Sequence, residues 1–280
     1  MGYPRHAQIS LQETQYYHCV SRCVRRGWLY GVDEYSGRDY SHRKQWIIDR
    51  LTLLSSVFAI DVCAYAVMSN HYHLHLYVDI EQTRDWDDLE VVRRWTTLHK
   101  LPEVVRRYLD ADVSLAEQDA AQAIIRLWRQ RLMDISSFMK EMNEYLSRRA
   151  NAEDGCTGSF WEGRFKCQAL LDEAAILTAM AYVDLNPIRA GIAATPETSE
   201  YTSVHQRIKV LHGKSSTGPA LRRFHQSGVK RDSLPFLLED YLHLVDWTGR
   251  AIRKNKRGAI DQTLPPMGNP PTNNRRHKWS

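Results

Sequence analysis

The stretch that decides the fold is His71-Tyr72-His73-Leu74-His75-Leu76-Tyr77-Val78. It alternates without a break. As a β-strand it sends His71, His73, His75 and Tyr77 to one face and Tyr72, Leu74, Leu76 and Val78 to the other. One face is an ordinary apolar core surface; the other is a row of imidazoles, each of which needs a partner if buried. Pairing histidines two apart is an economical way to hold a metal ion. Just upstream, Ser69-Asn70 is turn chemistry and Ile60–Met68 is a second apolar strand, so the two strands form a hairpin. Further upstream, Trp46, Ile47, Leu51, Leu54 and Phe58 recur at helical spacing and predict a helix from about Ser41 to Phe58. The aromatic, β-branched run Thr14–Ser21 predicts the first strand, preceded by an arm over residues 1–12.

Downstream of the histidines, residues 81–130 are polar and helical, with a break at Leu101-Pro102 and a loop over Asp110–Ser114. They read as an insertion rather than core. A helix follows from Asp134 to about Ala150, with Ile135, Phe138, Met142, Tyr145 and Leu146 on one side. Phe160–Lys166 leads into a strand ending near Leu171. Asp172 caps a further helix carrying Ile176, Leu177, Met180 and Val183 before Asn186-Pro187. The order strand, helix, strand, strand, helix, strand, helix predicts an α+β fold. Its core is a ferredoxin-like (RRM-like) antiparallel sheet with helices on one face, a layout often used to bind nucleic acid. The predicted division is a catalytic domain over residues 1–200, a helical basic extension over 201–258 (helices near Ser203–Leu211 and Leu234–Val245), and a disordered Pro/Gly/Asn-rich tail over 259–280.

Bulk composition narrows the function classes. With 43% hydrophobic residues the 280-residue chain can bury a real core, while its mean hydropathy of −0.51 and lack of any long apolar run exclude a membrane span. The first residues carry no apolar signal segment, and Cys19, Cys23, Cys63, Cys156 and Cys167 are odd in number and lack a CxxC pair. A reduced, cytoplasmic protein is expected. The net charge of +5 is uneven: residues 250–280 hold eight Lys/Arg against one Asp, a net of +7, which leaves −2 for residues 1–249. A basic end on a near-neutral body points to a polyanion partner.

Strand geometry limits the metal site. Residues two apart stand about 6.6 Å apart along the chain, so two imidazoles can converge on one ion, whereas His71 and His75 are roughly 13 Å apart. The ligand pair is either His71/His73 or His73/His75. The helix after Asp172 adds a nucleophile. At 100° per residue Ile176, Met180 and Val183 share a face roughly opposite Tyr182, and Tyr182 has Asn186 one turn on along its own side. Pro187 disfavours α geometry at Asn186, which places that residue in the last turn with its amide free to reach outward. Together these are parts of a phosphoryl-transfer site. Tyr182 attacks a phosphodiester, and a divalent ion held by His71, His73 and an Asn186 oxygen offsets the developing charge. Mg²⁺ prefers all-oxygen ligation, so Mn²⁺ is a second candidate.

These motifs resemble a known family. Met68-Ser69-Asn70-His71-Tyr72-His73 looks like the His-hydrophobic-His signature of single-tyrosine HUH transposases, and Phe160–Lys166 and Tyr182–Gly191 look like the two others, in the family's order. The match resembles most the REP-associated tyrosine transposases and covers roughly residues 12–200. The resemblance implies a bacterial, metal-dependent single-stranded DNA endonuclease and strand transferase acting at palindromic hairpins, in DNA transposition, recombination or a domesticated equivalent. It implies Tyr182 as nucleophile, leaving a 5′-phosphotyrosine and a free 3′-OH, with His71, His73 and Asn186 as metal ligands. His75 falls where relatives usually carry an aliphatic residue. Mobile relatives act as homodimers with the tyrosine helix supplied in trans, whereas REP-associated ones can act as monomers.

DNA contacts are expected from Arg22, Arg25 and Arg26, from Arg164 and Lys166 beside Phe160 and Trp161, from Arg189, and from Arg253, Lys254, Lys256 and Arg257 near Trp247. Two readings compete with the transesterase. One is a nucleic-acid-binding regulator with vestigial chemistry. The other is a hydrolase unrelated to DNA with His73/His75 on Zn²⁺. Tyr145 is a rival nucleophile, although its place beside Phe138 and Met142 favours a core role.

Overall fold

The computed structural model describes residues 8–24, 29–33, 35–225, 233–252 and 256–266. At its centre is a four-stranded antiparallel sheet built from β1 (Tyr16–Arg22), β2 (Ile60–Val67), β3 (His71–Val78) and β4 (Lys166–Ala169), in the order β2-β3-β1-β4. With α1 (Arg43–Val57) between β1 and β2, this is the ferredoxin-like connectivity expected from the order of elements. The β2–β3 hairpin closes where Met68 N–H donates to the His71 carbonyl at 2.8 Å. A bulge between Val62 and Ala64 shifts the β2 register by one residue.

One face of the sheet carries Tyr17, Cys19, Tyr72, Leu74, Leu76 and Val78 against α1 and α6 (Ile135–Asp154). Helix α1 contributes Ile47, Ile48, Leu51 and Leu54, and α6 contributes Phe138, Met139 and Met142, all buried. Asp134 caps α6 through Ser137 N–H, and Gly155, at φ 64, ends it in the left-handed conformation.

Between β3 and α6 lie four helices: α2 (Ile80–Asp85), α3 (Asp88–Thr96), α4 (Glu103–Leu109) and α5 (Leu115–Leu132). Asp79, Asp87 and the Ser114/Glu117 capping box start α2, α3 and α5. Despite its polar composition this segment joins the main core: Val91, Val92, Val105, Ile125 and Leu132 are buried in the same cluster, and Trp95 stacks on Trp128 with centroids 5.6 Å apart.

The two helices expected on one face are present. The difference lies on the other face, where α7 (Glu173–Asp184) crosses β2 and β3 and buries Ile176, Met180 and Val183 against Cys63, Ala64 and Ala66. Asp172 caps α7 through Ala175 N–H at 2.7 Å. A one-turn helix α8 (Asn186–Arg189) follows, with Pro187 in its first turn, where its missing N–H has no helical partner to lose.

Residues past 200 are built into the same body. Thr202 pairs with Ala66 and Leu221 with Val62 along the free edge of β2, covering backbone groups that would otherwise be open to another strand. Helices α9 (Ser203–Leu211) and α10 (Leu238–Arg250) pack over β2 and α7 respectively, and β5 (Arg223–Phe224) pairs with β6 (Ser233–Leu234). The first part of the predicted disordered tail folds back: Ile260 is buried, and Arg250 donates to the carbonyls of Asp261, Leu264 and Pro265. Residues 267–280 of that tail lie outside the described residues. No described helix is long and apolar enough to cross a membrane.

Candidate active site

The histidine face of β3 is only partly open. His75 is fully buried, and neither ring nitrogen has a hydrogen-bond partner within the protein. Burial pushes its pKa down to about 3, so it is a neutral core residue. Its nearest aromatic neighbour is Tyr16, 6.0 Å away between ring centres. No three His, Cys, Asp or Glu side chains gather into a ligand set among the described residues, so neither His71/His73 nor His73/His75 has a third ligand of those types.

Half-buried His71 lies at the open end, beside buried His73. Their ring centres are 5.0 Å apart at an interplanar angle of 75°, a separation that lets one nitrogen of each approach a common ion at about 2.1 Å. His71 Nδ1 donates to Asn70 Oδ1 at 2.8 Å, which leaves its Nε2 as a lone pair. His73 is 4% exposed, and its Nε2 has no partner. Burial, aided by neighbouring charges including Arg22, pushes His71 down to about 4 and His73 to about 2. Both rings are therefore neutral at physiological pH, the form that ligates a cation.

His18, which is not among the residues expected from sequence, joins this cluster. In β1 it pairs with His75, and its Nε2 lies 3.0 Å from His73 Nδ1 with the two rings stacked. Burial pushes it down to about 4. When His73 Nδ1–H donates to a neutral His18, His73 Nε2 is left as the free lone pair. The alternation Tyr16–His18–Val20 placed His18 on one face of β1 in the sequence. Which face, and which strand lay beside it, depended on a pairing register that one sequence does not reveal.

Tyr182 is 45% exposed on α7, with its ring 5.6 Å from that of His73 and 6.0 Å from that of His18. Its helix packs on its own sheet, so tyrosine and histidines meet within one chain. Asn186 lies one turn on, as its spacing requires. Its amide is not free as expected: Nδ2 donates to the Tyr182 carbonyl at 2.9 Å, which fixes the side chain and leaves Oδ1 as the acceptor available to a cation. Tyr145 lies on α6, across the sheet from the histidines, with its hydroxyl accepting from Arg149.

The expected DNA contacts divide. Arg22 is exposed beside His71, its partner across β1 and β3. Arg164 and Lys166 are exposed, and Lys166 pairs with Val20, which pairs in turn with His73, so Lys166 lies two strands from His73 on the same face. Phe160 and Trp161 belong to the core instead: Phe160 is buried, and Trp161 packs edge-on against Tyr72 and donates to the Asn143 carbonyl. Arg189, expected at the surface, is buried. It is 8% exposed, and its guanidinium donates to the carbonyls of Thr248, Ala251 and Gly258. It is a clamp between α8 and the end of α10, where Gly258 passes so close to the Ile188 carbonyl that a Cβ would clash. Lys256 and Arg257 are exposed. Arg25, Arg26, Arg253 and Lys254 lie outside the described residues.

Asp184, two residues after Tyr182, anchors this helix. Fully buried, it accepts from Ser203 Oγ at 2.5 Å, from Val204 N–H at 3.0 Å and from the Tyr241 hydroxyl. One carboxyl thereby ties α7 to α9 and α10. Burial holds that carboxyl above the usual range.

No protein-family model and no curated protein matches this sequence. Among solved structures the chain is similar to one described as "Structure of the REP associates tyrosine transposase bound to a REP hairpin", with a TM-score of 0.43 and 15% identity, covering 82% of this chain and 98% of that one.

Proposed function

We propose that the protein is a metal-dependent single-stranded DNA transesterase that cuts and rejoins strands beside hairpins, through a covalent link to Tyr182. One observation carries the reading: an exposed tyrosine whose ring lies 5.6 Å from that of His73, itself 5.0 Å from His71, all in one chain. In the proposed reaction a Tyr182 Oη–P bond forms as the P–O3′ bond breaks. The phenol loses its proton, the 3′ oxygen leaves as a hydroxyl, and the 5′ phosphate stays on the tyrosine. A divalent cation, when bound, would draw charge from the scissile phosphate. His71 Nε2, His73 Nε2 and Asn186 Oδ1 are the atoms that would hold it, and their lone pairs are oriented by Asn70, His18 and the Tyr182 carbonyl. Arg22 and Lys166 flank the histidines and suit the DNA backbone. The cis placement of α7 favours a monomer that needs no partner's tyrosine.

The test is incubation with Mg²⁺ or Mn²⁺ and a labelled oligonucleotide carrying a hairpin with single-stranded flanks. An SDS-resistant protein–DNA adduct that vanishes with chelator is expected. Tight hairpin binding with no adduct under either metal would favour the vestigial regulator instead.

His18 is assigned a positioning role through His73. Removing an outer-shell partner of a ligating histidine typically weakens metal binding 10- to 100-fold. His18→Ala is therefore expected to lower Mn²⁺ affinity by about that factor in calorimetry, with His18→Gln recovering part of it. Unchanged Mn²⁺ affinity in His18→Ala would remove the assignment.

A further inference from the structure

Beside Tyr182 lies a cavity of about 270 Å³ that the proposed chemistry leaves unused. Tyr182 and Asn186 form one wall; Leu244, Trp247 and Lys256, on and just after α10, form another. Trp247 is 74% exposed and is the only exposed tryptophan among the described residues. Its neighbours Leu242 and Val245 are buried, so α10 has its core contacts without this indole. Lys256 and Arg257 are exposed at the same end and supply positive charge. The walls are held in place, because Arg189 ties α8 to the carbonyls of Thr248 and Ala251. A preformed slot loses little freedom on filling.

We infer that this cavity is a subsite for one unpaired nucleobase of single-stranded DNA, stacked on Trp247, with an adjoining phosphate held by Lys256. The inference rests on the reading of Tyr182 as nucleophile, since the slot borders that residue and so receives a nucleotide next to the attacked phosphate. A flat aromatic face with a cation beside it is the chemistry that binds single strands without reading sequence. An unpaired base is free to lie on Trp247, whereas a base paired in the stem stays in its own stack, so the slot selects the unpaired flank over the hairpin stem. The stretch of chain after residue 200 thereby becomes part of the substrate site.

The test measures binding of hairpin oligonucleotides whose single-stranded flank carries an abasic nucleotide at each position in turn, with wild type, Trp247→Ala, Trp247→Phe and Lys256→Ala. One flank position is expected to show an abasic penalty of about 5- to 100-fold with wild type, the range of a single base–aromatic stack. Trp247→Ala should bind the intact flank as weakly as wild type binds that abasic one, and should show no further abasic penalty. Trp247→Phe should keep most of the affinity, and Lys256→Ala should weaken every flanked oligonucleotide and flatten the salt dependence. Trp247 fluorescence should be quenched by flanked but not by flankless hairpins. An undiminished abasic penalty in Trp247→Ala would overturn the subsite and leave the nuclease reading standing. If wild type bound no single-stranded flank at all, both would fall.

Discussion

Tyr182→Phe is expected to fold as wild type does and to lose covalent adduct formation by about four orders of magnitude or more, the scale on which nucleophile deletions act. The ring is 45% exposed, and its hydroxyl makes no hydrogen bond among the described residues, so removing one oxygen disturbs no packing. The aromatic contacts with His18 and His73 belong to the ring and survive in phenylalanine. Thermal melting and hairpin affinity should therefore match wild type while the adduct disappears. Adduct formation at the wild-type rate would show that another group attacks the phosphate.

Asp184→Ala is expected to act on the fold. It strands the Ser203 hydroxyl, the Val204 amide and the Tyr241 hydroxyl in a buried place, each costing about 1–3 kcal/mol when left unpaired. Even at the low end the loss is about 3 kcal/mol, a fall in melting temperature of roughly 6–12 °C for a chain of this size. Asp184→Asn keeps part of the network and should lose less. A chain cut after residue 200 would remove Ser203, Val204 and Tyr241 together and leave the same carboxyl without partners. It should melt at least as low as Asp184→Ala. An unchanged melting temperature for Asp184→Ala would show that α7 is held by its apolar contacts alone.

Much of this was legible because it rests on local rules. The alternation over residues 71–78 fixes a strand with its histidines on one side, the carboxylate of Asp172 caps a helix wherever it stands at that position, and the i,i+4 relation between Tyr182 and Asn186 holds on any helix. What stayed hidden depends on long-range pairing. His18 is uninformative until β1 is known to lie beside β3. His75 looks equivalent to its neighbours until α7 is seen to cover it. Arg189 reads as a surface cation because nothing nearby in sequence shows that the backbone at 248–258 returns to it. The segment 81–130 looks like an insertion rather than core because its many surface charges outweigh the few residues, Trp95 and Trp128 among them, that reach the core.

The central claim is that Tyr182 becomes joined to DNA at a site built from its own chain's histidines. Peptide mapping of the protein–DNA adduct by mass spectrometry tests this most directly. The nucleotide is expected on the peptide that contains Tyr182, and only when His71 and His73 are intact in the same molecule. A nucleotide found on Tyr145, or adduct restored by mixing Tyr182→Phe with His73→Ala protein, would contradict it.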